Sequence, residues 1–472
     1  MPQILGQIKH VVVVMFENRS LDNLCGWLYS TGAPPSVFLP NGSATAFNGL
    51  NTSIFNPSNK AYFNGAPADK VFVTQGTTSS TVPNPDPEET FDNVSQQICG
   101  PAGYQAPPAY PMQGFIVNYD DATPANDAAQ IMQAYSPGQM PVLSELARSY
   151  AISDAWFASV PSQTWPNRAF AHAGTSNGHV NNGEPPDPFE WDVETIFNVL
   201  TRCNISWAVY SDTILTPSLT RTMFPKLWDL HLDGQFRGFP DFEDACAKNA
   251  LPAYSFIEPS FLLDPNDAHP PHDVEAADQY LSRIWKAVST SKGWNETLLL
   301  ITFDEHGGCH DHVFPPTGAV PPDSTPGDEG FGFDRFGVRV PAILVSPYIK
   351  AGTVFRTNTA VPYDHTSILA TLRDWLSIPA ADMLPSKRIA AAPTLEQVLT
   401  LTTPRSDLPT VSPLNAATTV VSNAEPLNSL QRSIVSGAAR RLSLDSSATL
   451  ASIKSRQQAM DFFKRHPTMV QR

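Results

Sequence analysis

The sequence predicts an α/β fold: a mainly parallel central sheet covered by helices on both faces. Three observations lead there. The runs His10–Phe16, Thr297–Phe303 and residues 340–346 are almost continuously apolar, as strands buried on both faces are. Amphipathic stretches alternate with such runs, and that alternation packs as a parallel sheet between helical layers. The 472 residues are ample for a sizeable core, and length alone suggests about three domains.

The first strand, His10–Phe16, is β-branched and stops at Glu17-Asn18-Arg19. Residues 30–111 are rich in Gly, Pro, Ser, Thr and Asn with no sustained period, which predicts a long surface excursion with short strands such as residues 70–74. A helix over residues 140–150 precedes a strand over 151–157. A helix at 195–202 and strands at 206–210 and 253–257 come next, then the helix Val274–Ser289 and the strand Thr297–Phe303, which ends in Asp304-Glu305. A third buried strand covers 340–346, and Asp364-His365-Thr366 marks the start of a helix over 367–376. After residue 390 the composition shifts to Ser, Thr, Ala and Gln. The expected division is therefore a main α/β domain over 1–390 with an insertion near 30–111, and a C-terminal extension over 391–472, helical at 450–464 or partly disordered.

Composition excludes several classes. Against 45 acidic side chains stand 30 basic ones, a net charge of −15, and binding phosphate backbones needs the opposite surplus. No nucleic-acid partner is expected. Five cysteines, an odd number with no C-x-x-C pair, indicate neither a disulfide scaffold nor a thiolate zinc site. The run 11–16 is too short for a signal peptide or membrane span, so the expectation is a soluble protein, cytoplasmic or exported without a visible Sec signal. Prolines number 45, about twice the usual share, which implies long rigid loops.

Ligands of open α/β sheets sit beyond the carboxyl ends of the strands. Two strands deliver oxygens there, Glu17-Asn18 and Asp304-Glu305. Gathering carboxylates is costly unless a cation neutralises them, so a divalent metal with oxygen ligands is the economical explanation. Either pair alone reads equally as a wet loop at a strand end. The string 302–312 carries three histidines, His306, His310 and His312, and the glycines Gly307 and Gly308 allow tight folding beneath a site. Pro166 suits the first turn of a helix, which puts Thr164 at or just before a helix N-terminus, where backbone N–H groups favour a phosphate. A plain N-cap role for Thr164 stays open. His269, followed by two prolines, and His365, before a helix, stand in constrained settings; each either braces its turn or works on phosphate oxygens or a leaving group.

Taken together, residues 8–22 (IKHVVVVMFENRSLD), 164–168 (TWPNR), 269–271 (HPP), 302–308 (TFDEHGG), 311–316 (DHVFPP) and 364–367 (DHTS) resemble the phosphoesterase family that unites bacterial and plant non-specific phospholipases C with a group of acid phosphatases. The resemblance runs in order from residue 8 to about 376. It implies an alkaline-phosphatase-like fold and hydrolysis of phosphate esters through a covalent intermediate on Thr164. It also implies metal ligation by Glu17, Asn18, Asp304, Glu305 and Thr164. His269 matches a phosphate-contacting histidine, and His312, favoured over His306 and His310, and His365 match family motifs; all three are expected to be catalytic. Asn167 and Glu89 are expected on the substrate side. Two departures stand out. Leu21 replaces a common Phe, a packing difference, and Glu89 in the segment 86–91 stands where many members carry a His near the active site.

The expected function is a metal-dependent phosphoric ester hydrolase of phospholipase C type. Its metal is Mg²⁺, Ca²⁺, Mn²⁺ or Zn²⁺, since oxygen ligands and nearby histidines leave the ion open. The expected partner is a phosphate ester, a phospholipid among the candidates, and oligomeric state is left open. An acid phosphatase acting on monoesters and an inactive binding protein on the same fold remain alternatives. A sulfatase or phosphoglycerate-mutase-like reading finds no Cys or Ser in a C/S-x-P-x-R setting.

Overall fold

The structure, a computed structural model, describes residues 4–105, 107–123, 127–183, 191–213, 215–414 and 424–466. Its centre is a nine-stranded sheet. In chain order the strands are β1 (His10–Phe16), β2 (Val37–Leu39), β3 (Ala151–Ser153), β4 (Trp207–Ser211), β5 (Phe236–Gly238), β6 (Tyr254–Glu258), β7 (Thr297–Phe303), β8 (Ala342–Val345) and β9 (Thr353–Phe355). Across the sheet they run β2-β9-β3-β8-β7-β1-β6-β4-β5. Neighbours are parallel except around β8, which pairs antiparallel with both β7 and β3.

The two most apolar runs lie side by side at the centre. Burial of β1 and β7 is nearly complete, and each wholly buried Val, Leu or Ile stabilises the fold by about 1.5–3 kcal/mol. The prediction of two-sided burial holds, and both strands have the bounds that the apolar runs mark. The expected strand over 151–157 ends at Ser153, where the chain turns to bring Phe157 against Arg339 and Trp156 against Tyr363 in single bridges.

Much of the segment 30–111 is irregular, with Phe55–Pro57 pairing Lys70–Phe72 antiparallel and the helix Phe91–Cys99 near its end. Val73, Val94 and Ile98 of this segment pack with Trp27, Phe115 and Met132 in a core separate from the main one. Beyond residue 390 the expected single helix over 450–464 is two, Ser446–Ser452 and Arg456–Arg465, preceded by Ser429–Arg441. Residues 415–423 and 467–472 of that extension lie outside the described residues. Leu430, Ile434, Val435, Phe462 and Phe463 belong to the main core, so these helices are packed onto the sheet-bearing body. No helix among the described residues is long and apolar enough to cross a membrane.

Candidate active site

Register builds the centre of the site. β1 and β7 run parallel with His10 opposite Thr297 and Phe16 opposite Phe303, so the next residues, Glu17 and Asp304, emerge side by side at the carboxyl edge. Asp304 N–H donates to the Phe16 carbonyl at 3.2 Å, and Glu17 N–H donates to the Asp267 carbonyl at 2.8 Å. Asn18 then adopts a left-handed conformation, φ 53°, which Asn tolerates better than most residues. Its N–H donates to Asp304 Oδ1 at 3.0 Å, and Glu305 N–H donates to the same oxygen at 2.8 Å. Gly307 folds back beneath: its N–H donates to Glu305 Oε2 at 2.7 Å. A Cβ on Gly307 would stand 2.2 Å from the Asn18 carbonyl oxygen, and φ is +61°, so only glycine fits there.

Thr164 is the first residue of the helix Thr164–Ala173, with Gln163 as N-cap. Asn167 Nδ2 donates to the carbonyls of Val160, Ser162 and Gln163 at 3.1, 2.9 and 3.0 Å, and its Oδ1 accepts from Val160 N–H. The loop is thereby held so that Thr164 Oγ1 faces Glu17 Oε2 at 3.0 Å and Asn18 Oδ1 at 3.2 Å. A hydroxyl has one proton to donate. With Glu17 ionised and Asn18 Oδ1 facing the hydroxyl, only one of the two contacts can be a hydrogen bond from Thr164, and a coordinated cation would satisfy the other oxygen. One turn along the helix, Arg168 Nε donates to Glu17 Oε1 at 2.8 Å, its second nitrogen donates to the same oxygen and to the Met15 carbonyl, and Asp304 Oδ2 lies 3.6 Å away.

Charge does not balance within this group. Glu17, Asp304 and Glu305 are wholly buried, and Arg168 is the cation paired with the first two. Burial, aided by the neighbouring carboxylates, pushes the pKa values of Glu17 and Glu305 well above the usual carboxylate range. Asp304 Oδ2 and Glu305 Oε1 have no hydrogen-bond partner. Orphaned buried carboxylate oxygens are expensive, and a divalent cation among these five oxygen-bearing residues would satisfy them.

The remaining predicted residues divide. His269 is fully buried; its Nδ1 bonds the Pro270 carbonyl at 2.7 Å and its Nε2 has no partner. Glu89 is also fully buried, with Oε1 3.3 Å from Gln163 Nε2 and Oε2 unpartnered. His365 lies beneath the site rather than in it: Nε2 donates to the Asp304 carbonyl at 2.5 Å, and Trp156 Nε1 donates to Nδ1 at 3.4 Å. Both ring nitrogens are used within the protein, so in this structure His365 holds the Asp304 backbone. Asn167 likewise braces the loop before Thr164, its Nδ2 directed at backbone carbonyls.

His312 belongs to a second cluster. Its Nδ1 lies 2.5 Å from Asp22 Oδ2 and its Nε2 3.1 Å from Asn48 Oδ1. Arg339 donates to Asp22 Oδ1 at 2.9 Å and Asp311 Oδ1 at 3.0 Å. Asp22, Asp311 and His312 have spacing that suits a metal ion, yet Arg339, the His312 N–H and the Val313 N–H already occupy their oxygens. This network is internally neutralised and ties the start of the helix Leu21–Cys25 to the 311–313 loop. The catalytic role expected of His312 is not supported by that placement. Histidines 306 and 310 are buried, which pushes them down to about 3 and about 4; His306 Nε2 bonds Gln97 Oε1 at 2.8 Å.

A phosphoesterase family model matches residues 8–379. The chain belongs to the phosphoesterase family. Among its relatives, Non-specific phospholipase C6 of Arabidopsis thaliana is 35% identical over 429 residues, covering 87% of this chain and 76% of the relative. Non-specific phospholipase C3 of the same plant is 34% identical, covering 86% and 76%. Phospholipase C B of Mycobacterium tuberculosis (strain ATCC 25618 / H37Rv) is 28% identical, covering 81% and 76%. A solved structure of an alkaline phosphatase superfamily protein from Vibrio parahaemolyticus is 12% identical with a TM-score of 0.32, covering 56% of this chain and 66% of that one. As a phosphoesterase, the protein is an enzyme that hydrolyses phosphoric esters.

Three phosphoesterase site residues carry no role in the sequence reading. Arg168 lies within a recognised motif, but a lone Arg in a helix reads as solvent-facing; its position four residues after Thr164, one turn on the same face, is the available signal. Asp267, whose Oδ2 is buried without a partner, accepts from His272 Nδ1 at 2.7 Å and from the His269 N–H at 3.1 Å. Gln163 joins Glu89 to the loop before Thr164, and its Oε1 accepts from Asn182 N–H at 3.0 Å.

Proposed function

We propose that this phosphoesterase hydrolyses phosphodiesters of phospholipase C type in a metal-dependent reaction, with Thr164 Oγ1 as nucleophile and a phosphothreonine intermediate. The observation that carries the reading is the Thr164 hydroxyl at a helix N-terminus, within 3.0 and 3.2 Å of Glu17 and Asn18, in a buried group whose carboxylates outnumber their cation. The names of the plant and mycobacterial relatives support the substrate class.

Glu17, Asn18, Asp304, Glu305 and Thr164 would hold the divalent ion. When bound, it neutralises these carboxylates, lowers the pKa of the threonine hydroxyl and polarises a phosphate oxygen. The rest falls to the chain. Arg168 fixes the Glu17 carboxylate so that Oε2 faces the hydroxyl, and the helix start directs backbone N–H groups toward the anion. Thr164 Oγ1 passes its proton to Glu17 Oε2, 3.0 Å away, and attacks phosphorus as the bond to the leaving oxygen breaks; that oxygen takes a proton from solvent. Water then attacks phosphorus, the P–Oγ1 bond breaks, Thr164 regains its proton and the second product leaves. His269 Nε2, buried and unpartnered, is the imidazole nitrogen available for a phosphate oxygen or the leaving group.

Thr164→Val preserves shape and removes the nucleophilic oxygen. Turnover of p-nitrophenylphosphorylcholine by this variant at more than about a tenth of the wild-type rate would exclude the mechanism, since losses of nucleophiles cost several orders of magnitude. Parallel assay of p-nitrophenyl phosphate decides between diester and monoester preference.

A further inference from the structure

Glu89, expected on the substrate side, has no part in the steps above. It is wholly buried, and its two polar contacts are long: Gln163 Nε2 at 3.3 Å and Ser429 Oγ at 3.4 Å, both on Oε1. Oε2 has no partner. Desolvation, with Asp86 and Glu305 nearby, pushes its pKa well up. Close by, His269 Nε2 lies 3.8 Å from Asp86 Oδ2, and Asn428 Nδ2 lies 3.5 Å from His269 Nδ1. The wall thus joins three distant stretches: the segment 86–89, the 267–272 turn, and the first residues of the helix Ser429–Arg441.

That helix is anchored firmly enough to form a wall. Asn428 caps it, accepting from Gln431 N–H at 2.8 Å, and Gln431 Nε2 donates to the Phe261 carbonyl at 2.8 Å. Gly437 packs where a Cβ would stand 2.6 Å from Thr222 and 3.3 Å from Trp165, next to the nucleophile. The C-terminal helix therefore packs against Trp165, the residue that follows Thr164.

We propose, resting on the phosphodiesterase reading above, that this wall is the head-group subsite, and that Glu89 and Asp86 select a phosphodiester of an amino alcohol bearing a primary ammonium, with Asn428 and Ser429 closing the subsite. A primary ammonium brings three N–H donors and a positive charge. It satisfies the orphan Glu89 Oε2 and relieves the repulsion between Glu89 and Asp86. A quaternary ammonium has no N–H to give and is held by aromatic faces, whereas this wall offers the carboxylate oxygens Glu89 Oε2, which has no partner, and Asp86 Oδ2.

The test uses the full chain and water-soluble short-chain phosphatidylethanolamine and phosphatidylcholine, compared by kcat/KM. Wild type is expected to favour the ethanolamine lipid. Glu89→Gln, nearly isosteric, is expected to lower the ethanolamine-to-choline ratio by about tenfold or more, as removal of a buried partner for a substrate donor does. Ser429→Ala is expected to move the ratio in the same direction by a few-fold, and keeps the proposal testable if the Glu89 variant does not fold. A wild-type preference for choline, or variants that lower both substrates equally, would overturn the subsite. Wild-type protein that hydrolyses neither lipid but turns over monoesters would overturn the phosphodiesterase reading, and the subsite with it.

Discussion

Arg168→Gln tests the charge accounting of the site. The side chain is fully buried, holds Glu17 with two nitrogens and the Met15 carbonyl with one, and stands 3.6 Å from Asp304. Glutamine keeps the polarity but removes the charge, leaving Glu17, Asp304 and Glu305 together without their cation. Breaking a buried pair from one side costs about 3–5 kcal/mol. With unfolding entropy of roughly 2.1 cal/mol/K per residue, a chain of this size loses about 3–5 °C in Tm. Adding a divalent ion is expected to raise the Tm of the variant more than that of wild type, because more carboxylate charge awaits neutralisation. Activity should fall about tenfold to a hundredfold through loss of Glu17 orientation, as for other residues that orient metal ligands. Differential scanning calorimetry on metal-stripped and metal-loaded protein reads both effects. A Tm of the metal-stripped variant within about 1 °C of metal-stripped wild type would refute the reasoning.

The other predictions concern single contacts. Gly307→Ala should destabilise the protein and depress activity together, since its Cβ meets the Asn18 carbonyl at 2.2 Å and φ is positive; a variant with normal kcat would show that the turn is not tightly bound to the site. Asp22 raises the pKa of His312 against the effect of burial, so the folded state holds that proton more tightly than the unfolded chain. The resulting stability is fully present below the ordinary histidine pKa near 6.5 and is lost as pH rises through the higher folded value. His312→Gln should flatten this part of the Tm-against-pH curve while kcat changes little, as urea melts and assays at several pH values would reveal. Thr164→Ser retains a hydroxyl and should keep measurable turnover, whereas Thr164→Val should not.

Legibility in the sequence followed local physics. The bounds of β1 and β7 could be read because wholly apolar runs end where charged residues begin. Their register, which follows from adjacent parallel pairing, then placed Glu17 beside Asp304. Thr164 at the helix start was legible from Pro166. The antiparallel direction of β8 was not, because two-sided burial looks the same in either direction. The helix Ser429–Arg441 escaped notice because only Leu430, Ile434 and Val435 of its buried residues are large and apolar, the others, Gln431, Ser433, Ser436, Gly437, Ala438 and Ala439, being polar or small. His312 was singled out by the motif it shares with the family, and motif order does not show that it lies apart from Glu305. After the two glycines the chain turns away to Asp22 and Arg339.

The central claim is that Thr164 becomes covalently phosphorylated during turnover. Acid quenching of the metal-loaded enzyme in the steady state with p-nitrophenylphosphorylcholine, followed by peptide mass spectrometry, tests it most directly. The account predicts a phosphocholine adduct on Thr164 that appears within the first turnover and is missing from Thr164→Val. An adduct on any other residue, or none at any quench time while product accumulates, would contradict it.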